Sequence, residues 1–224
     1  MNSRNKKLII YFVAAVIILA GASAFGGRHY TLVSVLTAAL ACAGFAFAFE
    51  RRELTSRYAV LIAVMTALSV AGRFIFAPIP AFKPVTSMVI LSGIYLSPEG
   101  GFLTGALTAL ISNMYFGHGA WTPFQMLAWG AIGLFAGLLS QQLKKNRLLL
   151  IAYGAAAGVL YSLVMDIWTV VWYSEGFQSG LYKAALLSAL PFTLIYAVSN
   201  AVFLFIIGKS FGRKLNRAVT LIER

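Results

Sequence analysis

Long apolar runs alternate with short, mostly basic polar breaks along this chain. Crossing a hydrocarbon core of about 30 Å takes roughly 17–25 apolar residues in a helix. The pattern predicts such spans at 8–25, 31–49, 57–76, 99–117, 122–142, 147–173 and 182–208, with a shorter one at 85–97. Ser97-Pro98-Glu99-Gly100 leaves room only for a tight turn, so 85–97 and 99–117 form a close hairpin. The charged stretch ERRELTSR at 50–57 sets two N-terminal transmembrane helices within 1–56 apart from a six-helix core over 57–208, and a basic tail follows at 209–224. The predicted fold class is an all-α integral membrane protein.

Within 57–76, Ala59, Ala63, Ala67 and Ala71 recur at four-residue steps and therefore share one helix face. A ladder of small side chains lets another helix approach closely. It serves either packing inside the bundle or docking of a partner. Small residues four apart also occur at Gly101/Gly105/Ala109, Gly133/Gly137 and Gly154/Gly158.

Composition sharpens this picture. With 60% hydrophobic and 11% charged residues and a mean hydropathy of +0.84, a chain of this length cannot bury its apolar surface in one soluble core. The net charge of +12 does not indicate nucleic acid, because the 18 Lys and Arg residues cluster in the breaks, where they act as orientation signals. With the N-terminus inside, all of them except Arg28, Arg73, Lys83 and Lys183 fall on the cytoplasmic side, so both termini are expected in the cytoplasm of a prokaryotic cell. The tail reads as a stop signal for the last helix or as a stretch lying on the anionic inner leaflet. At the start, Arg4, Lys6 and Lys7 precede an apolar run, and Ala22-Ser23-Ala24 resembles a signal-peptidase site. That first helix is either cleaved or retained as a span. A single cysteine, Cys42, excludes an internal disulfide and a thiolate metal site.

Candidate chemistry is sparse. No Ser/His/Asp set, paired carboxylates or zinc motif is present, so no catalytic or metal-binding residues are expected. Gly208-Lys209-Ser210 imitates the end of a phosphate-binding loop, but Phe203 stands where its first glycine belongs. Uphill transport would then need an ion gradient or a separate ATPase. Asp166 is the one carboxylate inside a span, where insertion costs roughly 2.5–3.5 kcal/mol. Ser162, Asp166, Thr169 and Tyr173 form a polar stripe around it, while Trp168 and Trp172 suit an interfacial aromatic belt. Arg73 closes the ladder helix, and the proline-stiffened loop 77–84 positions Phe76, Phe82 and Lys83 over a cavity. The plainer alternative pairs Arg73 with Asp166 and leaves Lys83 in solvent. The loop at 117–123 brings His118 and Trp121, with Gln125 and Trp129 below it and Asn113 and Tyr115 approaching from the preceding helix. Amides, aromatics and a few charges under one surface are the composition of a small-molecule pocket. Plainer roles are a loop residue for His118, core packing for Trp129 and interhelical bonding for Asn200.

Two segments, RYAVLIAVMTALSVAGRFIFAPIPAFKPVT and GFLTGALTALISNMYFGHGAWTPFQMLAWGAIGLFAGLL, resemble the substrate-binding S-components of energy-coupling factor (ECF) vitamin transporters, in particular their cobalamin-type branch. The resemblance covers about 57–208 and implies a six-helix S-component bundle. It further implies a transmembrane coupling protein and two cytosolic ATPases as partners, with Ala59, Ala63 and Ala67 against the coupling protein. A vitamin would bind under the loops 77–84, 117–123 and 174–182 and cross when the whole subunit topples in the membrane. The two extra N-terminal helices depart from the six-helix pattern. Cobalamin is the expected substrate, its amides and phosphate suiting a mouth edged by Arg73 and Lys83. Riboflavin is the alternative, and a proton-coupled carrier using Asp166 is a reading of another class.

Overall fold

The computed structural model describes residues 56–174 and 177–222. The two N-terminal spans, the cleavage motif and Cys42 lie outside the described residues. Among the described residues seven helices follow one another: α1 (Ser56–Ile75), α2 (Val85–Tyr95), α3 (Pro98–Phe116), α4 (Trp121–Leu138), α5 (Ser140–Lys145), α6 (Arg147–Tyr173) and α7 (Ser179–Ile222). Among the described residues α1, α6 and α7 are long and apolar enough to cross a bilayer, and the chain is an all-α membrane protein.

Local chemistry fixes the boundaries. Ser97 caps α3 by accepting from the Gly100 amide at 2.9 Å, with Pro98 in the first turn. Asn146 accepts from the Leu148 and Leu149 amides and starts α6. At the other end of α3, Gly117 has φ 96°, a conformation that glycine adopts without Cβ strain.

Two elements differ from the sequence reading. The span expected at 122–142 breaks at Leu139, and the short α5 restarts the chain in a direction that buries Leu143 while Lys144 lies 4.8 Å from the Tyr95 ring. The last helix does not stop at 208. Phe211, Leu215 and Val219 continue an apolar stripe at steps of four that packs onto the core, while Lys209, Arg213, Lys214 and Arg217 are exposed. At 1.5 Å per residue this 44-residue helix is about 66 Å long, roughly twice the hydrocarbon thickness.

The topology follows from a few pairings. Tyr58 hydrogen-bonds Ser97 at 2.5 Å near the start of α1, and Arg73 bonds Ser112 near its end. Both pairs are 39 residues apart, so α1 and α3 run parallel in constant register. Helix α4 returns antiparallel to α3, as the contacts of Gly137 with Pro98 and of Gly105 with Trp129 show. In the same sense α6 and α7 pair antiparallel, with Ser162 on Thr193 at 2.7 Å and Gly158 against Tyr196.

Backbone contact between helices is the main packing device. A Cβ added at Gly101 would fall 2.6 Å from the Gly133 carbonyl oxygen and from the Gly93 Cα, so α2, α3 and α4 meet where none of them has a side chain. These glycines are internal packing. The alanine ladder packs on none of the other described helices: Ala59, Ala63, Ala67 and Ala71 are all exposed, beside exposed Val60, Val64 and Leu68. Tyr58, Ile62, Met65, Ser69 and Arg73 form the buried face of α1.

Gly133→Ala is expected to destabilise the bundle by about 1–3 kcal/mol through overpacking. At Gly180 an added methyl group would meet no atom of the described residues within 4 Å. It is the matched control, and Gly180→Ala should leave the thermal unfolding midpoint in detergent nearly unchanged.

Candidate functional site

The end of α1, the end of α3 and the start of α4 converge on Arg73. Its Nη1 donates to Ser112 Oγ and, at 2.8 Å, to Asn113 Oδ1. Asn113 passes the network on, its Nδ2 donating to Gln125 Oε1 at 2.7 Å and Thr122 Oγ1 at 2.9 Å. Gln125 Nε2 then donates to the Tyr161 hydroxyl on α6 at 3.1 Å. Every amide in this chain of bonds is oriented by its neighbours, which leaves the oxygen of Asn113 facing the cation.

Aromatic rings complete the walls. The Arg73 guanidinium carbon lies 4.6 Å from the Phe116 centroid and 5.4 Å from that of Trp129. Trp129 stacks on Tyr161 at 4.9 Å, and Tyr161 meets Tyr196 of α7 edge-on at 5.3 Å. The Trp129 ring nitrogen is buried without a hydrogen-bond partner among the described residues. Arg73 itself has partners only for one of its three nitrogens among the described residues, so donors remain for a ligand.

Lys83 enters from the loop at 76–84. Pro80 and Phe82 close a tight three-residue turn about Ala81, whose φ is 60°, with the Phe82 amide donating to the Pro80 carbonyl at 2.8 Å. Ser199 on α7 then clamps the Lys83 backbone, accepting from its amide at 2.9 Å and donating to its carbonyl at 3.2 Å. The ammonium lies 5.8 Å from the same Phe116 ring that Arg73 covers. Burial, and after it the neighbouring Arg73 charge, holds the Lys83 ammonium below the usual lysine range.

Of the residues singled out in the sequence, Arg73, Asn113, Gln125 and Trp129 form one connected cluster, and Lys83 adjoins it. Arg73 bonds the hydroxyl and amide of α3 rather than Asp166. Phe76 and Phe82 pack on Phe203 at 5.1 and 5.2 Å, which anchors the loop to α7. Trp121 meets Trp168 edge-on at 5.7 Å. His118 is exposed, its Nδ1 3.4 Å from Thr122 Oγ1. Tyr115 and Tyr173 are about three-quarters exposed. Tyr115 sits two residues past Asn113, on the opposite side of α3, and packs on Phe74 and Phe116. Asp166 has one buried oxygen without a hydrogen-bond partner among the described residues and lies within electrostatic reach of Tyr182 and Tyr196. Asn200 joins helices: its amide donates to the Gly154 carbonyl at 3.2 Å, and its own carbonyl accepts from Ser87.

Sequence reasoning missed Ser112, Phe116, Tyr161, Tyr196 and Ser199. Tyr196 and Asn200, one turn apart in an apolar helix, were the available signal for α7.

A family model described as "ECF-type riboflavin transporter, S component" matches residues 53–217. A UPF0397 protein of Vibrio atlanticus is 24% identical over 186 residues, which cover 76% of this chain and 99% of the relative. Another, from Aliivibrio salmonicida, is 24% identical over 167 residues, or 70% and 88% of the two chains. No solved structure matches.

Because the folded state holds the Lys83 ammonium below its ordinary range, the charge opposes folding at neutral pH, and the opposition vanishes as pH rises past the lowered value toward the ordinary one. Lys83→Met is therefore expected to raise the thermal midpoint of ligand-free protein at pH 7. The gain should shrink in alkaline buffer; a gain independent of pH would contradict the assignment. In the same assay Asn113→Ala, which removes one of the two acceptors of Arg73 and the donor to Gln125 Oε1, should cost about 1–3 kcal/mol.

Proposed function

The chain belongs to the family of ECF-type riboflavin transporter S components, and from that premise we propose that it is the membrane-embedded subunit that captures a vitamin for an ATP-driven importer. S components are transport subunits rather than enzymes. The observation that carries the reading is Arg73: a buried cation with spare donors and no carboxylate partner among the described residues, walled by Phe116, Trp129, Tyr161 and Tyr196. Aromatic walls accept a flat conjugated ring, and oriented donors fix its polar edge.

Riboflavin gains support from the family description. The cobalamin-type assignment has no support from the comparisons and stands as the second substrate to test, favoured by the two cations at the site, which suit its phosphate. In this reading Arg73, Asn113, Gln125 and Trp129 contact the vitamin, with Lys83 at the edge. The partners are a transmembrane coupling protein and cytosolic ATPases, and both termini face the cytoplasm, as the basic residues suggest. The exposure of Ala59, Ala63 and Ala67 supports their use as the coupling-protein seat, since small side chains facing outward give a smooth approach for a helix. Asp166, with its unpartnered oxygen, is what favours the proton-coupled alternative.

Purified protein is expected to carry a vitamin that mass spectrometry and the visible spectrum identify, corrinoid and flavin absorbing differently. Ala63→Trp should abolish co-purification with the ATPase-bearing complex while vitamin binding persists. Transport by the isolated chain in liposomes under a pH gradient, lost in Asp166→Asn, would replace this reading with the carrier.

A further inference from the structure

Arg73 and Lys83 share one ring. With 4.6 Å from the first and 5.8 Å from the second to the Phe116 centroid, the two charges are no more than about 10 Å apart, one Debye length at 0.1 M salt. In a partly buried site the screening is weaker still. Both cations thus raise one local positive potential.

Neither cation makes an ion pair among the described residues, and Tyr196 stands within electrostatic reach of both Arg73 and Asp166. Of the six carboxylates in the chain, only Glu99 and Asp166 are among the described residues. Glu99 opens α3, 14 residues before Asn113, and so lies about 20 Å away along the helix. Asp166 makes no ion pair with either cation among the described residues; its electrostatic neighbours are Tyr182 and Tyr196. Arg73 instead donates its hydrogen bonds to neutral oxygens of Ser112 and Asn113, and the Lys83 ammonium faces the ring of Phe116. Two like charges brought together with no ion-pair partner among the described residues are costly.

Lys83 is also placed rather than loose. Ser199 holds its backbone from both sides, the turn at Ala81 aims it, and Phe76 and Phe82 pin the loop to Phe203. A lysine whose task was solvation alone would need none of this.

We propose that Arg73 and Lys83 form an anion subsite, so that the ligand of this S component carries a phosphate or carboxylate group beside its ring. The inference rests on the vitamin-binding reading above and narrows it. A neutral flavin would leave the pair uncompensated, whereas a phosphate-bearing vitamin would neutralise it, Arg73 offering planar donors and Lys83 a point charge.

The test compares riboflavin, riboflavin 5′-phosphate and cyanocobalamin on the purified full-length chain, followed by quenching of tryptophan fluorescence. At least one phosphate-bearing probe should bind about tenfold or more tightly than riboflavin, with affinity falling between about 50 and 500 mM NaCl. Lys83→Met should weaken that probe about tenfold or more and at least about fivefold more than it weakens riboflavin, and Lys83→Arg should restore most of the loss. Thermal midpoints at or above wild type in Lys83→Met separate loss of the charge from loss of the fold. Riboflavin binding as tightly as the phosphate-bearing probes, without salt dependence and unchanged in Lys83→Met, would overturn the anion subsite and leave the vitamin-binding reading intact. Failure of all three probes, together with no ligand in the purified protein, would overturn both.

Discussion

A guanidinium buried in an apolar helix bundle has to be solvated by protein, and the site end of this molecule is organised by that requirement. An Arg at the centre of a membrane helix costs roughly 2.5–3.5 kcal/mol on insertion scales, an upper bound for Arg73 in the last turn of α1. Hydrogen bonds to a charged group return about 1.5–3 kcal/mol each, so the bonds from Arg73 to Ser112 and Asn113 are of the right size to offset the cost. They solvate the charge but do not cancel it. Meeting the requirement orients Asn113, which orients Gln125, which holds the Tyr161 hydroxyl, and four helices are thereby fixed to one another at a single level.

The remaining architecture is compatible with this network because glycines keep the helices close elsewhere. Gly93, Gly101 and Gly133 bring the backbones of α2, α3 and α4 together near the end of the bundle opposite the cluster. Close approach there lets side chains as short as Asn113 and Gln125 reach one another at the other end. Gly154 and Gly158 do the same for α6 and α7, which positions Tyr161 and Tyr196 edge to edge. The hydrophobic surface itself specifies little, since lipid tails are as apolar as the helices.

That division explains what could be read in advance. Arg73, Asn113 and Gln125 were legible because charges and amides are rare in apolar runs and demand a reason. The face of α1 that bears the alanines followed from four-residue spacing, though spacing alone did not tell outward from inward. Tyr161 and Tyr196 escaped notice because aromatics are common in membrane helices and their hydroxyls signify only once a partner is known. Phe211, Leu215 and Val219 were hidden among basic residues, so the continuation of α7 past 208 went unread. The vitamin is the least legible element, because one fold can host unrelated ligands and specificity resides in a few side chains.

Helix α1 ties these levels together. Ala71 and Arg73 are two residues apart, about 200° around the helix, so the exposed ladder and the buried charge face opposite ways. A partner seated on the ladder would therefore touch no residue of the cluster. Its influence would have to pass through movement of α1. Yet α1 is bonded to α3 near both of its ends, by Tyr58 to Ser97 and by Arg73 to Ser112. Sliding α1 by one helical turn, about 5.4 Å, would break both ties and strip the buried cation of its solvation. Such a ratchet is therefore costly. Motion of α1, α3, α4 and α6 together keeps the two ties of α1 and the Gln125–Tyr161 bond intact, so these bonds favour movement of the bundle as one body over sliding of α1 alone.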